Sequence, residues 1–417
     1  MRVTEHPHYV ASNSGIFRHS VGFGYSVRVD RLPELDDAVQ DLAEAVGRRL
    51  VVMDHALRVV AYSIHETPED RRRLFHLLAH SDAWPRPRAD GKPCQIQTFP
   101  EVGSLKFLRL TDPHRRILGY LVMPAADSAA DCGTEPPLAE ATPHLAELLQ
   151  ARQHDAADRT GRSSRLAVDL VAGSPQEHEE AARVLVGERF LSSSDGYCAV
   201  ALGVDPREAT PLAEEKAAQA VSRTLQFVRE TSTATVIGGV LEGQVGVLVF
   251  PRPVVVSRLI RILEQPQVAP VRAGVGGLLP LAEAHRSFKQ ARLAWRASWL
   301  APTDHEIVTT WDGAGLDATL ARMPLESFTL ADLPPSTRDL LTAVNSPDLL
   351  ATLETYLSAG GDAQRTAREL SIHRSTLYYR LDKLRAAVPG DLADGALRRD
   401  LHTGLRMARL AGLLPGA

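Results

Sequence analysis

The stretch ARELSIHRSTLYYRLDKLRAAV, residues 367–388, contains two short helical patterns separated by Ser371-Ile372-His373. In the second pattern leucines recur at i, i+4 and i+7, which places Leu377, Leu381 and Leu384 on one inward face. Ala367 is small enough for a helix crossing, and Leu370 and Ile372 flank the break. This spacing favours a helix-turn-helix over a solvated helical hairpin.

The outward face of the second helix carries side chains suited to a duplex groove. An α-helix fits the major groove, and residues of its first turns reach base edges. Arg374 can chelate guanine, and the hydroxyl of Tyr379 can contact a base or a phosphate. The candidate DNA-binding residues are His373, Arg374, Ser375, Thr376, Tyr378, Tyr379, Arg380 and Lys383.

Charge is concentrated in this stretch. Residues 362–387 hold six Arg or Lys and three acids, a local balance of +3, whereas the whole chain carries −4. A basic field over the entire protein is therefore excluded, and any nucleic-acid binding has to rely on local charge.

The bulk composition predicts a soluble, multidomain protein. At 417 residues with 44% hydrophobic content, the chain is too long for one core and apolar enough for several. No signal peptide is visible, and the apolar runs are too short to span a membrane. Cys94, Cys132 and Cys198 have no CxxC spacing, so we expect a reducing cytoplasm without disulfides or a zinc module. No metal, cofactor or membrane contact is predicted.

The N-terminal half predicts one α+β domain. Residues 1–32 are irregular in pattern, and residues 33–124 combine a helix ending at Gly47 with two hairpins. Residues 125–162 predict a linker and a connecting helix that breaks near Thr160-Gly161. That helix either pairs in a dimer or lies on its own domain.

A second α+β unit follows at residues 163–330, with four strands and a central hairpin turning at Glu242-Gly243-Gln244. Residues 331–345 predict a linker. Residues 346–417 predict an all-α domain, in which Ser346 caps the first helix and Gly360-Gly361 ends it. The predicted fold class is therefore multidomain α+β with a C-terminal all-α helix-turn-helix domain.

The string GGDAQRTARELSIHRSTLYYRLDKLRAAV, followed by LRRDLHTGLRMARL, closely resembles the C-terminal helix-turn-helix of PucR/CdaR-type bacterial transcriptional regulators. Their pattern runs TA..L..HRNTL.YRL. The matching positions are Thr366, Ala367, Leu370, His373, Arg374, Thr376, Leu377, Tyr379, Arg380 and Leu381. Ser375 stands where asparagine is usual, which implies a changed base preference at that step.

The resemblance also implies a domain order. Residues 163–330 resemble a degenerate GGDEF-like domain, and residues 33–124 resemble a GAF-like sensor through LAEAVGRRLVVMDHALRVVAYS. The central hairpin reads GGVLEGQVGVLV and has only Glu242, so the metal-binding acids of a cyclase are missing. Tyr62, His65, Phe107 and Tyr120 are candidates to line an effector pocket, with core filling as the competing role.

These features predict a regulator that is not an enzyme. The expected partners are double-stranded promoter DNA, a second copy in a homodimer or larger assembly, RNA polymerase, and an unidentified small-molecule effector. Two alternatives remain open at this point. One is a nucleotide-binding or nucleotide-cyclising enzyme with a helical appendage, and the other is a protein-interaction module.

Overall fold

The computed structural model describes residues 33–64, 67–88, 92–125, 135–207, 211–241, 245–388 and 390–414. The chain divides into two compact units, Met1–Thr160 and Gly161–Ala417. The segment 1–32, His65 and the hairpin tip Glu242-Gly243-Gln244 lie outside the described residues, so the predictions made for them stay predictions.

The first unit is built on one antiparallel sheet. Its elements are α1 Pro33–Val46, β1 Val51–Asp54, β2 Val59–Tyr62, α2 Pro68–His80, β3 Cys94–Phe99, β4 Gly103–Thr111 and β5 Ile117–Pro124. The strand order is β2-β1-β5-β4-β3. Leu35, Val39 and Leu42 of α1 are buried, so this face of the helix belongs to the apolar core of the unit.

The two predicted hairpins are confirmed, and their turns share one design. Asp54 Oδ1 accepts the backbone N–H of Arg58 at 2.9 Å, and Asp112 Oδ1 accepts that of Arg116 at 2.8 Å. The fourth residue of each turn has a positive φ, as seen at Leu57 with 62°. An aspartate that bonds its own turn stabilises such a conformation. Strand β3 was not predicted, although the alternation of polar and apolar residues in CQIQTF is typical of a half-buried strand.

A single helix, α3 Pro136–Ala172, follows. It runs through Thr160-Gly161, so the predicted break is wrong: a glycine inside a helix costs only about 1 kcal/mol relative to alanine. Residues 154–162 of this helix are all exposed and include no large apolar side chain.

The second unit contains a mixed sheet. Its elements are α4 Pro175–Gly187, β6 Tyr197–Gly203, α5 Pro211–Thr231, β7 Ile237–Leu241, β8 Val245–Phe250, α6 Val256–Leu263, β9 Arg272–Leu279, α7 Ala284–Leu300, β10 Val308–Thr310 and α8 Trp311–Leu320. The strand order is β10-β9-β6-β8-β7, and only β10 pairs in parallel among the described strands. The four predicted strands are confirmed, whereas β10 was too short to predict.

Helix α7 lies very close to strand β9. A Cβ atom on Gly276 would lie 1.9 Å from the carbonyl oxygen of Ser287, so only glycine fits this crossing. The hydroxyl of Ser287 in turn accepts the backbone N–H of Ala199 at 2.9 Å and is fully buried. This close approach packs α7 against the centre of the sheet.

Five helices complete the second unit: α9 Pro335–Ala343, α10 Pro347–Ser358, α11 Ala363–Glu369, α12 Arg374–Ala387 and α13 Gly395–Leu410. The predicted linker 331–345 is wrong, because it contains α9 with Thr337 and Leu340 fully buried. One apolar cluster contains Ala301, Leu320 and Leu325 together with residues of α9 to α13. Multidomain α+β remains the correct class, with the C-terminal helices packed on the region that precedes them.

The structure bears on two predictions made from the composition, one about the cysteines and one about membrane-spanning segments. Cys94 is disulfide-bonded, so the expectation that no cysteine pairs is wrong for this residue. Cys198 is a free thiol on β6, and its burial raises its pKa to about 11. None of the described helices combines the length and the apolar character that a membrane span requires.

Candidate nucleic-acid interface

The helix-turn-helix begins at Asp362, which caps α11. Its Oδ1 accepts the backbone N–H groups of Gln364 at 2.8 Å and Arg365 at 3.0 Å. The hydrogen bond from Arg365 is the main reason that the pKa of the Asp362 carboxyl is lowered. Asp362 is thus the N-cap of α11.

The turn between α11 and α12 is a Schellman motif. Ser371 has a φ of 54°, its N–H donates to Arg368 O at 3.1 Å, and the N–H of Ile372 donates to Ala367 O at 3.0 Å. These two bonds satisfy the last carbonyls of α11 and reverse the chain sharply. Serine occupies a left-handed position that glycine usually fills, so the turn carries some backbone strain.

His373 caps the second helix. Its Nδ1 accepts the backbone N–H of Ser375 at 3.3 Å and lies 2.7 Å from the Ser375 hydroxyl. An accepting Nδ1 requires the tautomer with its proton on Nε2. Both residues are exposed, but in this structure they bond each other at the very start of α12.

The inward face of α12 is as predicted. Leu377, Leu381 and Leu384 are each fully buried in the apolar cluster that also contains residues of α10 and α13. Ala367 of α11 is buried beside them, and Ile372 packs on the same cluster from the turn. The leucine face therefore fixes which side of α12 points away from the protein.

The outward face presents two cation–aromatic couples. The guanidinium of Arg374 lies 5.4 Å from the ring centroid of Tyr378, and its Nη2 donates to the Tyr378 hydroxyl at 3.1 Å. Lys383 Nζ lies 4.6 Å from the ring centroid of Tyr379, whose side chain is 61% exposed. With 3.6 residues per turn, the Arg374–Tyr378 couple and the Tyr379–Lys383 couple lie on opposite sides of Ser375 around the helix axis. Thr376 is exposed in the first turn.

Arg380 is placed differently from the other candidates. Its guanidinium donates to Thr352 Oγ1 at 3.1 Å and lies 3.5 Å from the carboxylate of Asp348, both on α10. The side chain is only 23% exposed. Arg380 therefore ties α12 to α10 instead of projecting from the outward face.

Ion pairs neutralise part of the positive charge of α11 and α12. Arg365 pairs with Glu369 and Arg385 pairs with Asp382, each at 2.7 Å. Within the described residues, Arg368, Arg374 and Lys383 are the basic side chains of α11 and α12 that form no ion pair with a carboxylate. Arg368 was not among the predicted site residues, although it is exposed on α11; its place directly after Ala367, which was predicted to lie at the helix crossing, was the signal in the sequence.

The three predicted pocket residues that the structure describes lie in or against the core of the first unit. Phe107 and Tyr120 are buried, with ring centroids 6.1 Å apart in an edge-to-face contact, and Tyr62 packs on the same cluster. A neighbouring cavity, lined by Arg49, Asp70 and Leu77 among others, has a volume of about 30 Å³. That space suits ordered water and is too small for a metabolite.

Residues 349–407, from α10 to α13, match the PucR C-terminal helix-turn-helix domain family. A comparison with curated proteins gives no match. Among solved structures, the chain is similar to one described as a regulator of polyketide synthase expression from Bifidobacterium adolescentis, with 18% sequence identity over 60% of this chain and 98% of that chain. The TM-score of 0.27 is too low for an argument about the fold. The family match and the geometry of α11 and α12 agree, and the C-terminal part of this chain is a PucR-type helix-turn-helix domain.

Proposed function

We propose that this protein is a DNA-binding transcriptional regulator of the PucR/CdaR type that binds double-stranded promoter DNA through α12. The observation that carries the proposal is the exposed face of this helix. It combines Arg374 and Lys383, which form no ion pair with a carboxylate among the described residues, with the rings of Tyr378 and Tyr379, on which the two cations lie. Side chains already held in place lose less conformational entropy when they bind.

The geometry supports a division of roles on this face. A helix in the major groove has one sugar-phosphate backbone on each side. The Arg374–Tyr378 and Tyr379–Lys383 couples lie on opposite sides of Ser375, so each is placed to contact one of the two sugar-phosphate backbones. Ser375 and Thr376, in the first turn, are placed to reach base edges. Arg374 is near enough to the helix start to take either role.

Arg380 and Arg368 have supporting roles in this proposal. Arg380 sets the angle of α12 against α10 through Thr352 and Asp348. Arg368, exposed on α11, adds a phosphate contact from the helix that crosses the backbone.

We further propose that the upstream regions regulate this domain. Residues 33–124 act as a GAF-like sensor for a small-molecule effector, and residues 163–330 act as a degenerate GGDEF-like domain that relays the signal and does not cyclise nucleotides. The protein works in the cytoplasm as a homodimer or larger assembly, since two helix-turn-helix domains read a pseudo-symmetric site. RNA polymerase is the further partner of such a regulator.

The test is a fluorescence-anisotropy titration against duplexes captured from the source genome by the purified protein. Arg374→Ala should weaken binding about fivefold or more, because one well-placed arginine contributes roughly 1–3 kcal/mol. Lys383→Ala should weaken binding to all sequences and lower the salt slope by about 1. Arg183→Ala, which removes an exposed arginine of α4, is the matched control and should leave both unchanged.

Two results would refute the proposal. The first is a purified protein that retains no genomic duplex at low salt. The second is an affinity that stays flat between low and moderate salt, since phosphate contacts must release counterions.

A further inference from the structure

Arg406 of α13 reaches out of the helix-turn-helix domain to two carboxylates of the preceding region. Its Nε donates to Asp317 Oδ1 at 2.7 Å, its Nη2 donates to Asp317 Oδ2, and its Nη1 donates to Asp304 Oδ2 at 2.5 Å. Asp317 belongs to α8, and Asp304 precedes β10. The guanidinium of Arg406 thus forms a bidentate contact with Asp317 and a single hydrogen bond with Asp304.

This network is largely shielded from water. The side chains of Asp317 and His305 are 8% and 9% exposed, that of Arg406 is 22% exposed, and only Asp304, at 37%, lies at the surface. His305 Nε2 lies 2.8 Å from Asp317 Oδ2, so the carboxylate has hydrogen-bond partners on both oxygens. Removing one member of such a buried pair leaves the other charge without compensation, which is strongly destabilising.

Apolar packing crosses the same boundary. Ala301, Leu320 and Leu325 lie in one cluster with Leu401 and Leu405 of α13. The segment that contains Asp304 and Asp317 therefore shares an apolar cluster with α13 in addition to the charged network.

Two further arginines hold this connecting region from the other side. Arg272 of β9 donates to Glu306 O at 3.1 Å, and Arg296 of α7 donates to Ala321 O at 2.7 Å. Arg296 also pairs with Glu326. Residues 301–326, which we call the connector, are thus bonded to the sheet region on one side and to α13 on the other.

We propose that Arg406 is a positioning residue that couples the connector to the DNA-binding helices, so that a change at α8 moves α13 and, with it, α12. The inference rests on the proposed function for its link to DNA. The coupling between the connector and α13 does not depend on the proposed function, because it is inferred only from the contacts of Arg406 with Asp304 and Asp317.

The first arm of the test needs no DNA. Hydrogen exchange of the full-length protein is compared for wild type, Arg406→Met and Arg409→Met. Arg409 is the matched control, because it lies on the same helix but pairs with Glu354 of α10 inside the domain. In Arg406→Met the α8 amides should exchange about tenfold faster or more. In Arg409→Met they should stay within about twofold of wild type.

Equal α8 exchange in all three proteins would overturn the proposal. If Arg406→Met does not fold, Arg406→Lys takes its place, since lysine keeps the charge but loses the two-pronged bond. Exchange in α8 should then rise about threefold, and an unchanged rate would equally overturn the proposal. Among proteins that fold, Arg406→Lys should lie between wild type and Arg406→Met.

The second arm uses a 30-base-pair duplex of mixed sequence at low ionic strength. Coupling is reciprocal, so duplex bound at α12 should slow exchange at α8 in the wild type. In Arg406→Met the protection at α12 should remain and that at α8 should disappear. Protection at α12 without any at α8 in the wild type would overturn the coupling while leaving the proposed function intact. No protection at α12 would refute the proposed function, and the first arm would still decide on the coupling.

Discussion

Replacing Leu377 and Tyr379 separately tests which face of α12 supports the fold. Leu377 is fully buried and Tyr379 is 61% exposed, although they are two residues apart. Leu377→Ala removes a buried isobutyl group and should lower the free energy of unfolding by about 2–5 kcal/mol. Tyr379→Ala loses the contact with Lys383, which is worth about 0.5–1 kcal/mol at an exposed site. The two variants should therefore differ by at least about 1 kcal/mol in stability.

Urea unfolding followed by circular dichroism measures the stability of each variant. With a slope near 3 kcal/mol per molar urea, a loss of 3 kcal/mol moves the midpoint by about 1 M. Fluorescence anisotropy then measures duplex binding of the folded proteins. Tyr379→Ala should bind DNA more weakly than wild type while unfolding at nearly the same urea concentration.

Matched variants separate the effect of the ring from that of the hydroxyl. Tyr379→Phe keeps the ring that holds Lys383, so it should retain its stability and lose affinity only if the hydroxyl contacts DNA. Leu377→Met keeps the buried volume and should cost less than about 1.5 kcal/mol. The face assignment is wrong if Tyr379→Ala destabilises the protein as much as Leu377→Ala does.

Three further changes test other parts of the structure. Gly161→Ala, at a helical position with no neighbour within 4 Å, should slow amide exchange in the surrounding turns about fivefold, since alanine favours the helix by about 1 kcal/mol. Gly404→Ala puts a Cβ 2.0 Å from Thr337 Oγ1 and should lower the free energy of unfolding, measured in urea, by about 1–3 kcal/mol. The control Gly395→Ala, in open space on the same helix, should not lower it. Equal free energies of unfolding for the two variants would contradict the contact between α9 and α13. Burial raises the pKa of Asp317, but hydrogen bonds from Arg406 and His305 outweigh it and lower the pKa to about 2 from 3.8. A lowered pKa stabilises the fold above about pH 4, and this stability, roughly 2 kcal/mol, should be lost as the pH falls toward 2; in urea titrations across this range, Asp317→Asn should abolish that part of the loss.

The helical domain could be predicted in detail because its signals are local. Asp362 and Ser346 cap helices, Gly360-Gly361 ends one, and the leucines of α12 repeat at helical spacing. Each of these depends on neighbours within a few residues, which the sequence places directly. The outward position of Tyr379 follows from the same spacing.

Two of the wrong predictions, for α9 and Arg380, depend on contacts between residues that are far apart in the sequence, and the third depends on the length of a helix. Helix α9 has only nine residues, and its stability comes from packing Thr337 and Leu340 against other helices. The placement of Arg380 depends on Thr352, which is 28 positions away in the chain. Helix α3 continues past Gly161 because one unfavourable residue is small against 37 residues of helix. Local patterns carry no information about such partners.

The shared packing of the connector and α13 limits how this protein can be recombined with others. A chimera that joins another sensor to this DNA-binding domain at Ser346 would strip α9 from the core and leave Arg406 facing water without Asp304 and Asp317. A crossover placed before Ala301 keeps the contacts between the connector and α13 and all three charges together, although it separates β10 from β9 and the connector from Arg272 and Arg296. Exchange of this domain between proteins should therefore succeed only when the region that starts near Ala301 travels with it.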